Sequence, residues 1–235
     1  MTSDLAIELV DLHAWYGQAE VLHGIDLRVH RGEIVALLGR NGSGRSSTMR
    51  SIMGLLSRIS GNIRINGIET IGLAPHRIAR LGVGYCPEER GVFSGLSCGE
   101  NLTLLPRIGP HDMPLARIYE MFPNLGNRSR SGGSKLSGGE QQMLAVARIL
   151  LAGADILLLD EITEGLAPII VEHLVEVLSR LHKSGFTMLL SGQNLEFAAD
   201  LADRHYVIES GSIVGEVARS ELGQSADFLN SFLGL

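Results

Sequence analysis

The stretch GRNGSGRSST, residues 39–48, directly follows a short apolar run, Ile34–Leu38. An apolar run bounded by glycine is typical of a strand that is covered on both faces. After the stretch, apolar residues recur at helical spacing, at Met49, Ile52, Met53 and Leu56. The order of strand, glycine-rich loop and helix is the order that a phosphate-binding loop requires, because glycines leave backbone N–H groups open and the helix presents its positive end.

Each residue of this loop is a candidate for binding a nucleotide: Gly39, Arg40, Asn41, Gly42, Ser43, Gly44, Arg45, Ser46 and Ser47. The hydroxyl of Ser46 is predicted to bind Mg²⁺ as well. Arg45 stands where such loops normally carry lysine. Arginine keeps the positive charge, but its guanidinium is planar and wider than an ammonium. The loop alone therefore also fits an alternative, a glycine-rich turn that binds no ligand.

The second candidate element is ILLLDE, Ile156–Glu161. Its apolar residues place Asp160 at the C-terminal tip of a buried strand, where α/β sheets bind ligands. Asp160 is predicted to hold Mg²⁺, and Glu161 to orient or deprotonate an attacking water. A strand that ends in two solvated acids is the alternative, but the phosphate loop earlier in the chain favours the catalytic interpretation.

The third element is LSGGEQQ, residues 136–142, which precedes a helical run. Ser137 is a suitable N-cap, Gly138 and Gly139 leave backbone N–H groups unshielded, and Glu140 favours the first helical turn. The alternative is an ordinary capped helix. Since the phosphate loop already provides one anion site in this chain, a second one suggests that it serves a neighbouring chain.

The composition limits the classes of function. The chain has 235 residues, of which 45% are hydrophobic, and this suffices for a sizeable core. A net charge of −6 without a basic run argues against a nucleic-acid partner. Cys86 and Cys98 lack metal-ligand spacing, so we interpret them as ordinary thiols. Asp4 and Glu8 argue against a signal peptide, and no apolar run approaches the roughly 20 residues that span a bilayer.

The chain order predicts an interrupted α/β core. A hairpin is expected at Asn66-Gly67. Residues from about 89 to 152 are predicted to form a helical subdomain inserted into a nucleotide-binding core, which consists of residues 1–88 and 153–235. Strand character returns at DILLLDE, FTMLLSG and RHYVIESGSIVGEV, the last a hairpin turning at Ser210-Gly211. An amphipathic helix is predicted to end at Gly185, and the C-terminal ADFLNSFLGL is predicted to be a docking helix.

The phosphate loop, LSGGE and LLLDE, in this order, resemble the motifs of ABC transporter ATP-binding subunits, and the resemblance covers essentially the whole chain. It implies the ABC ATPase fold in a single domain over residues 1–235: an α/β P-loop NTPase core with an antiparallel β subdomain and an inserted α-helical subdomain. The stretches EITEGLAP, YCPEERGVFSGLS and GQN resemble, more narrowly, the subunits of importers for branched-chain and related hydrophobic amino acids or amides.

The resemblance also implies cofactors and partners. The cofactors are ATP and Mg²⁺. The partners are a second ATP-binding subunit, identical or not, and transmembrane permease subunits, with a solute-binding protein engaged indirectly. The implied dimer is head-to-tail, so that the phosphate loop of one subunit faces the Ser137 motif of the other. The implied location is the cytoplasmic face of the inner membrane, as a peripheral protein.

Three more site residues follow from the resemblance. Tyr16 matches an aromatic residue that stacks on adenine, although an ordinary tyrosine at a strand end is the alternative. Glu88 lies where many members carry a glutamine that senses Mg²⁺ and the membrane subunit. Gln193 lies at the switch position that contacts the γ-phosphate, and glutamine can donate a hydrogen bond but carries no charge.

This sequence departs from the family's pattern at three further positions. Ile162 replaces a proline, Gly192 replaces an acidic residue, and Ala167 replaces an aspartate found in many relatives, although alanine is usual in the importer branch. With Arg45, the first two changes leave open an ATP-binding but weakly hydrolytic partner in a heterodimer.

The leading expectation is nonetheless an ATP-hydrolysing subunit, because Glu161 and Ser137 are present. A third alternative, an ABC ATPase acting in translation or DNA repair, is opposed by the acidic charge and by the presence of only one ATP-binding domain in this sequence.

Overall fold

A computed structural model describes residues 4–111 and 113–233. The strands within these ranges are β1 (Leu5–Tyr16), β2 (Ala19–His30), β3 (Ile34–Leu38), β4 (Arg58–Ile65), β5 (Ile68–Glu69), β6 (Val83–Cys86), β7 (Ile156–Asp160), β8 (Thr187–Gly192), β9 (Arg204–Glu209) and β10 (Ser212–Ala218). The α-helices in the same ranges are α1 (Arg45–Ile52), α2 (Pro75–Ala79), α3 (Cys98–Thr103), α4 (Leu115–Met121), α5 (Pro123–Asn127), α6 (Gly138–Leu151), α7 (Pro168–Lys183), α8 (Leu195–Leu201) and α9 (Ala226–Leu233).

These strands form two sheets. One is antiparallel, with the order β2-β1-β4-β5, and it includes the predicted hairpin at Asn66-Gly67. The other has the order β10-β9-β3-β8-β7-β6, in which β9, β3, β8, β7 and β6 are parallel. Strand β10 pairs antiparallel with β9 through the predicted turn at Ser210-Gly211.

The central strands of the larger sheet are buried on both faces. In β3, Val35 and Leu37 pack in a core shared with the antiparallel sheet and α1, while Ala36 and Leu38 pack in a second core with α6, α7 and α8. Because successive strand side chains point to opposite faces, burial on both sides requires apolar residues throughout. The prediction of a covered strand before the glycine loop is confirmed.

Helix α1 is shorter than the apolar spacing predicts. It ends at Ile52, and the chain turns at Gly54, where φ is +66°. A glycine in this left-handed conformation just after the last turn is a common helix terminus. Leu56, expected on the helix, lies beyond it and packs partly buried against the core. The predicted helix was therefore wrong at its C-terminal end.

Among the described residues between β6 and β7 there are four α-helices, α3 to α6, in agreement with the predicted helical content of that segment. The first of these helices, α3, begins where it does for a local reason. The Ser97 side chain accepts a hydrogen bond from the Glu100 amide, and the Glu100 carboxylate accepts one from the Ser97 amide, which forms a capping box at the start of α3. The division into a core and a helical subdomain remains a prediction. Asp112, in the predicted loop 107–114, lies outside the described residues.

The C-terminal helix α9 packs on the edge of the larger sheet. Leu229 and Leu233 are buried, and the Phe228 ring lies so close to Gly215 that a Cβ there would be 2.4 Å from its Cζ. The described part of this segment therefore docks as predicted, while residues 234–235 lie outside the described residues. Across the described ranges, 4–111 and 113–233, no helix combines the length and apolar character needed to cross a membrane.

The two-sided burial of β7 can be tested with Leu158→Ala. Leu158 is fully buried, and removing its side chain is expected to lower the free energy of unfolding by about 2–5 kcal/mol through lost burial and a residual cavity. Urea denaturation followed by circular dichroism measures the change. Ile68→Ala on β5, where the side chain is 49% exposed, serves as the control and should change it by less than about 0.5 kcal/mol. Similar losses for both variants would contradict the burial described here.

Candidate active site

The candidate site lies at the carboxyl ends of three neighbouring strands. The loop 39–44 follows β3, Glu161 follows β7, and Gln193 follows β8. Since β3, β8 and β7 are adjacent and parallel, their ends meet at one edge of the sheet. This edge is where α/β sheets bind ligands.

The phosphate loop is tightly folded. A Cβ on Gly39 would lie 2.4 Å from the Ile208 carbonyl oxygen and 2.6 Å from Ser43 Oγ, so no larger residue fits there without a shift. The Ser43 amide donates to the Arg40 carbonyl (3.0 Å), and the Gly211 amide donates to the Ser43 carbonyl (2.8 Å). The hairpin between β9 and β10 thus supports the loop from outside.

The N-terminus of α1 is left open toward this loop. Its N-cap residue, Gly44, has φ +114° and supplies no side-chain cap, and the first turn contains no acidic residue. Ser43 Oγ is buried and has no hydrogen-bond partner among the described residues. Unpaired amides at a helix start and an unpaired hydroxyl beside them are suited to an anion such as phosphate. A cleft of about 260 Å³ lies beside them, lined by Val21, Gly42, Gly44, Arg45, Ser46, Ser47 and Glu161.

Asp160 connects the loop to the sheet. Its side chain is fully buried, and Oδ1 accepts hydrogen bonds from Ser46 Oγ (3.1 Å) and from Ser191 Oγ. Oδ2 accepts one from the Tyr85 hydroxyl (3.0 Å), and burial raises the pKa of Tyr85, which keeps that hydroxyl protonated as a donor. The carboxylate of Asp160 and the hydroxyl of Ser46 are adjacent oxygen ligands of the kind that Mg²⁺ prefers.

Glu161 begins the turn after β7 with a left-handed backbone, φ +51°. Its amide donates to the Ser191 carbonyl (3.1 Å), and its Oε1 accepts a hydrogen bond from Arg45 Nη2 (2.8 Å). Burial raises the pKa of Glu161 to about 7; Glu164 and Glu88 contribute to the rise and Arg45 opposes it. A carboxylate with such a pKa is suited to exchange a proton with water near neutral pH.

Arg45 is enclosed, with 2% of its side chain exposed. Nη2 donates to Glu161 and also to Asn41 Oδ1 (3.0 Å), which in turn accepts a hydrogen bond from Gln193 Nε2. Nη1 is buried without a partner among the described residues. Burial lowers the pKa of Arg45, and the charges of Glu161 and Asp160 oppose this effect. We call the set Glu161, Arg45, Asn41 and Gln193 the guanidinium network.

Two predicted site residues lie at the periphery. Tyr16, at the end of β1, is 45% exposed, and its hydroxyl accepts a hydrogen bond from Arg50 Nη1 (3.4 Å). Glu88 is exposed after β6, and its charge contributes to the raised pKa of Glu161. Neither residue hydrogen-bonds to the phosphate loop within the described part of the chain. Their roles in binding adenine and Mg²⁺ remain predictions.

The Ser137 motif forms the predicted cap at the start of α6. Ser137 Oγ accepts from the Glu140 amide (3.3 Å), and Glu140 Oε2 accepts from the Ser137 amide (2.7 Å). Gly138 lies against Arg90, where a Cβ would be 2.9 Å from Nη1, and Gly139 lies against Ile170. None of the hydrogen bonds of Ser137 or Glu140 among the described residues reaches the phosphate loop. That the motif serves another chain remains a prediction.

Residues 22–164, more than half of the chain, match the ABC transporter family. The chain belongs to this family. The high-affinity branched-chain amino acid transport ATP-binding protein BraG of Pseudomonas aeruginosa is 38% identical over 94% of this chain and 96% of its own length. The probable branched-chain amino acid transport ATP-binding protein LivF of Archaeoglobus fulgidus is 33% identical over 97% of this chain and 99% of its own.

A solved structure described as an ATP-binding subunit of an ABC transporter agrees with the fold. Its TM-score is 0.81 and its sequence identity 27%, over 98% of this chain and all of the solved chain. The predicted ABC ATPase fold is confirmed, and this ABC chain is an ATPase component coupled to transport.

Sequence reasoning missed two partners of Asp160 in this ABC chain, Tyr85 and Ser191. Both are polar residues in largely apolar strands, and Ser191 pairs in register with Asp160 across β7 and β8. That polarity was the available signal. Of the departures from the family pattern, Ile162 is buried in the core, and Gly192 ends β8 beside a cleft that Gln193 also lines.

The close packing of the loop can be tested with Gly39→Ala. Because the added methyl would meet the Ile208 carbonyl, the loop must shift, and we expect at least about a tenfold loss of ADP affinity, equivalent to 1.4 kcal/mol. Isothermal titration calorimetry measures the affinity, and the melting temperature verifies folding. Gly95→Ala is the control, since a Cβ there meets no atom within 4 Å. Unchanged affinity in a folded Gly39→Ala chain would show that the loop is not the nucleotide site.

Proposed function

We propose that this chain is the ATP-binding and ATP-hydrolysing subunit of an ABC importer for branched-chain or other hydrophobic amino acids or amides. This proposal rests on one observation: Glu161 lines the same cleft as residues of the phosphate loop. The named roles of the relatives BraG and LivF support the substrate class. The presence of Glu161 in that cleft favours hydrolysis over a role in binding alone.

In this proposal, different residues of the chain bind the phosphates of ATP, hold Mg²⁺ and activate water. The loop amides and Arg45 bind the β- and γ-phosphates. Ser46 and Asp160 hold Mg²⁺, with Glu88 as a further candidate; the ion neutralises phosphate charge when bound. Glu161 orients or deprotonates the attacking water, and Gln193 donates a hydrogen bond to the γ-phosphate.

The proposed assembly follows from the open anion sites. The Ser137 motif presents the amides of Gly138 and Gly139 to the ATP held by a second ATP-binding subunit, so two nucleotides lie between two chains. Tyr16 stacks on adenine in each site. Permease subunits attach the dimer to the cytoplasmic face of the inner membrane, and a solute-binding protein delivers substrate to them.

Glu161→Gln tests the catalytic assignment. Glutamine keeps the size of the side chain but cannot accept a proton, so turnover in the assembled transporter should fall by about 10²–10⁴-fold. ATP-bound dimers should accumulate, detected by size-exclusion chromatography with ATP. Glu176→Gln, an exposed position on α7, should leave turnover and dimer content unchanged. Normal turnover in Glu161→Gln would rule out Glu161 as the base.

Arg45→Lys tests whether arginine limits the rate. A compact ammonium fits beneath the loop with less displacement of the phosphates, and misplacement by around 1 Å can cost on the order of 10²-fold in rate. We therefore expect turnover of Mg-ATP to rise in the assembled transporter, while Arg45→Met, which removes the charge, lowers it. Equal turnover for arginine and lysine would show that the guanidinium is fully accommodated.

A further inference from the structure

Two opposite charges line the cleft that phosphates would enter. Arg45 and Glu161 both contribute to its wall, beside Gly42, Gly44 and Ser46. An anion in this cleft is attracted by the guanidinium and repelled by the carboxylate. Because the Arg45 and Glu161 side chains are only 2% and 10% exposed, both effects are stronger than they would be for charges at an exposed surface. Nucleotide binding therefore has to alter the ion pair between Arg45 and Glu161.

The guanidinium of Arg45 is almost completely buried. Only 2% of the Arg45 side chain is exposed, Nη2 is shared between Glu161 and Asn41, and Nη1 is buried without a partner among the described residues. For Nη1 or Nη2 to reach a phosphate, the guanidinium must turn. That turn separates Nη2 from the Glu161 carboxylate.

The carboxylate, in contrast, is held from its backbone side. The Glu161 amide donates to the Ser191 carbonyl, and the residue adopts φ +51°. Its other charged neighbours, Glu164 and Glu88, are acidic. Once Arg45 turns away, no cation among these neighbours holds the side chain. Apart from its hydrogen bond with Glu164, the side chain can then move within the cleft while its backbone stays fixed.

We infer that Arg45 is a positioning residue that holds the Glu161 carboxylate until a nucleotide phosphate replaces that carboxylate as the partner of the guanidinium. Binding of nucleotide and release of Glu161 are then a single exchange of partners. The same turn removes one of the two donors on Asn41 Oδ1, so that Gln193 becomes its remaining partner within the guanidinium network. This inference rests on the proposed nucleotide site, and it assigns to Arg45 a role beyond binding phosphate.

A double-mutant cycle on ADP affinity tests the exchange. ADP carries the β-phosphate that the loop is proposed to bind, and the full-length chain is measured alone. The variants are Glu161→Gln, Arg45→Met and the double variant, each titrated by isothermal calorimetry. In the Arg45 chain, Glu161→Gln should tighten ADP binding by at least about tenfold, because a buried charged pair no longer has to be broken.

In the Arg45→Met chain, the same Glu161→Gln change should tighten ADP binding several-fold less than it does in the Arg45 chain, because the repulsion between carboxylate and phosphate is relieved but no charged pair has to be broken. Glu164→Gln is the matched control. It removes a neighbouring carboxylate, while glutamine keeps a group that can hydrogen-bond to Glu161, so the pair between Arg45 and Glu161 is retained. Its effect on ADP affinity should stay below about threefold.

Equal effects of Glu161→Gln in the arginine and methionine chains, or equal effects of Glu161→Gln and Glu164→Gln, would overturn the exchange while leaving the nucleotide site in place. Absence of ADP binding to every variant, including the unchanged chain, would instead overturn the proposed function and the inference together. Should Arg45→Met not fold, judged by its melting temperature, Arg45→Gln replaces it in the cycle, since glutamine offers Glu161 an uncharged donor.

Discussion

The burial of a single carboxylate organises the functional edge of the molecule. Asp160 has no exposed surface, and a carboxyl group in that position is tolerated only where hydrogen bonds replace water. Three hydroxyl groups from three different elements supply them: Ser46 from α1, Ser191 from β8 and Tyr85 from β6. The hydrogen bond from Ser46 therefore ties the phosphate loop to the end of β7, in addition to the support that the loop receives from the β9–β10 hairpin.

The two cores provide the frame for that carboxylate. Strands β3 and β7 direct alternate side chains into opposite cores, so they tolerate polar residues only where they end. Each of these strands passes abruptly from apolar residues to functional ones, at Gly39 and at Asp160. Since β8 lies between them in the sheet, Ser191 and Gln193 reach the same edge. The site thus lies where two-sided burial stops.

Sequence patterns predicted the local features well, because their causes are local. The apolar strands, the glycine loop, the cap at Ser137 and the hairpin at Ser210-Gly211 each depend on residues within one short segment. The end of α1 was missed because the apolar period continued to Leu56, whereas the turn at Gly54 had already ended the helix. The apolar period and Gly54 are both present in the sequence, and the glycine decides where the helix ends.

Contacts between distant segments were not predictable in the same way. The two partners of the Arg45–Glu161 pair lie 116 positions apart, and no periodicity or motif states that a guanidinium reaches that carboxylate rather than solvent. The hydrogen bond between Asn41 and Gln193 also depends on how β3 and β8 are placed in the sheet. Such pairs follow from the three-dimensional arrangement of strand ends, which the sequence specifies only through the whole fold.

The choice of arginine in the loop explains why the resting site is poorly satisfied. A lysine would end in one nitrogen, whereas arginine places two Nη groups in the same enclosed space. One of them bridges Glu161 and Asn41, and the other, Nη1, is buried without a partner among the described residues, as is the nearby Ser43 Oγ. Each buried unpaired polar group costs roughly 1–3 kcal/mol. Because Arg45 lines the cleft beside the start of α1, an anion bound there would relieve the part of this deficit that Nη1 causes.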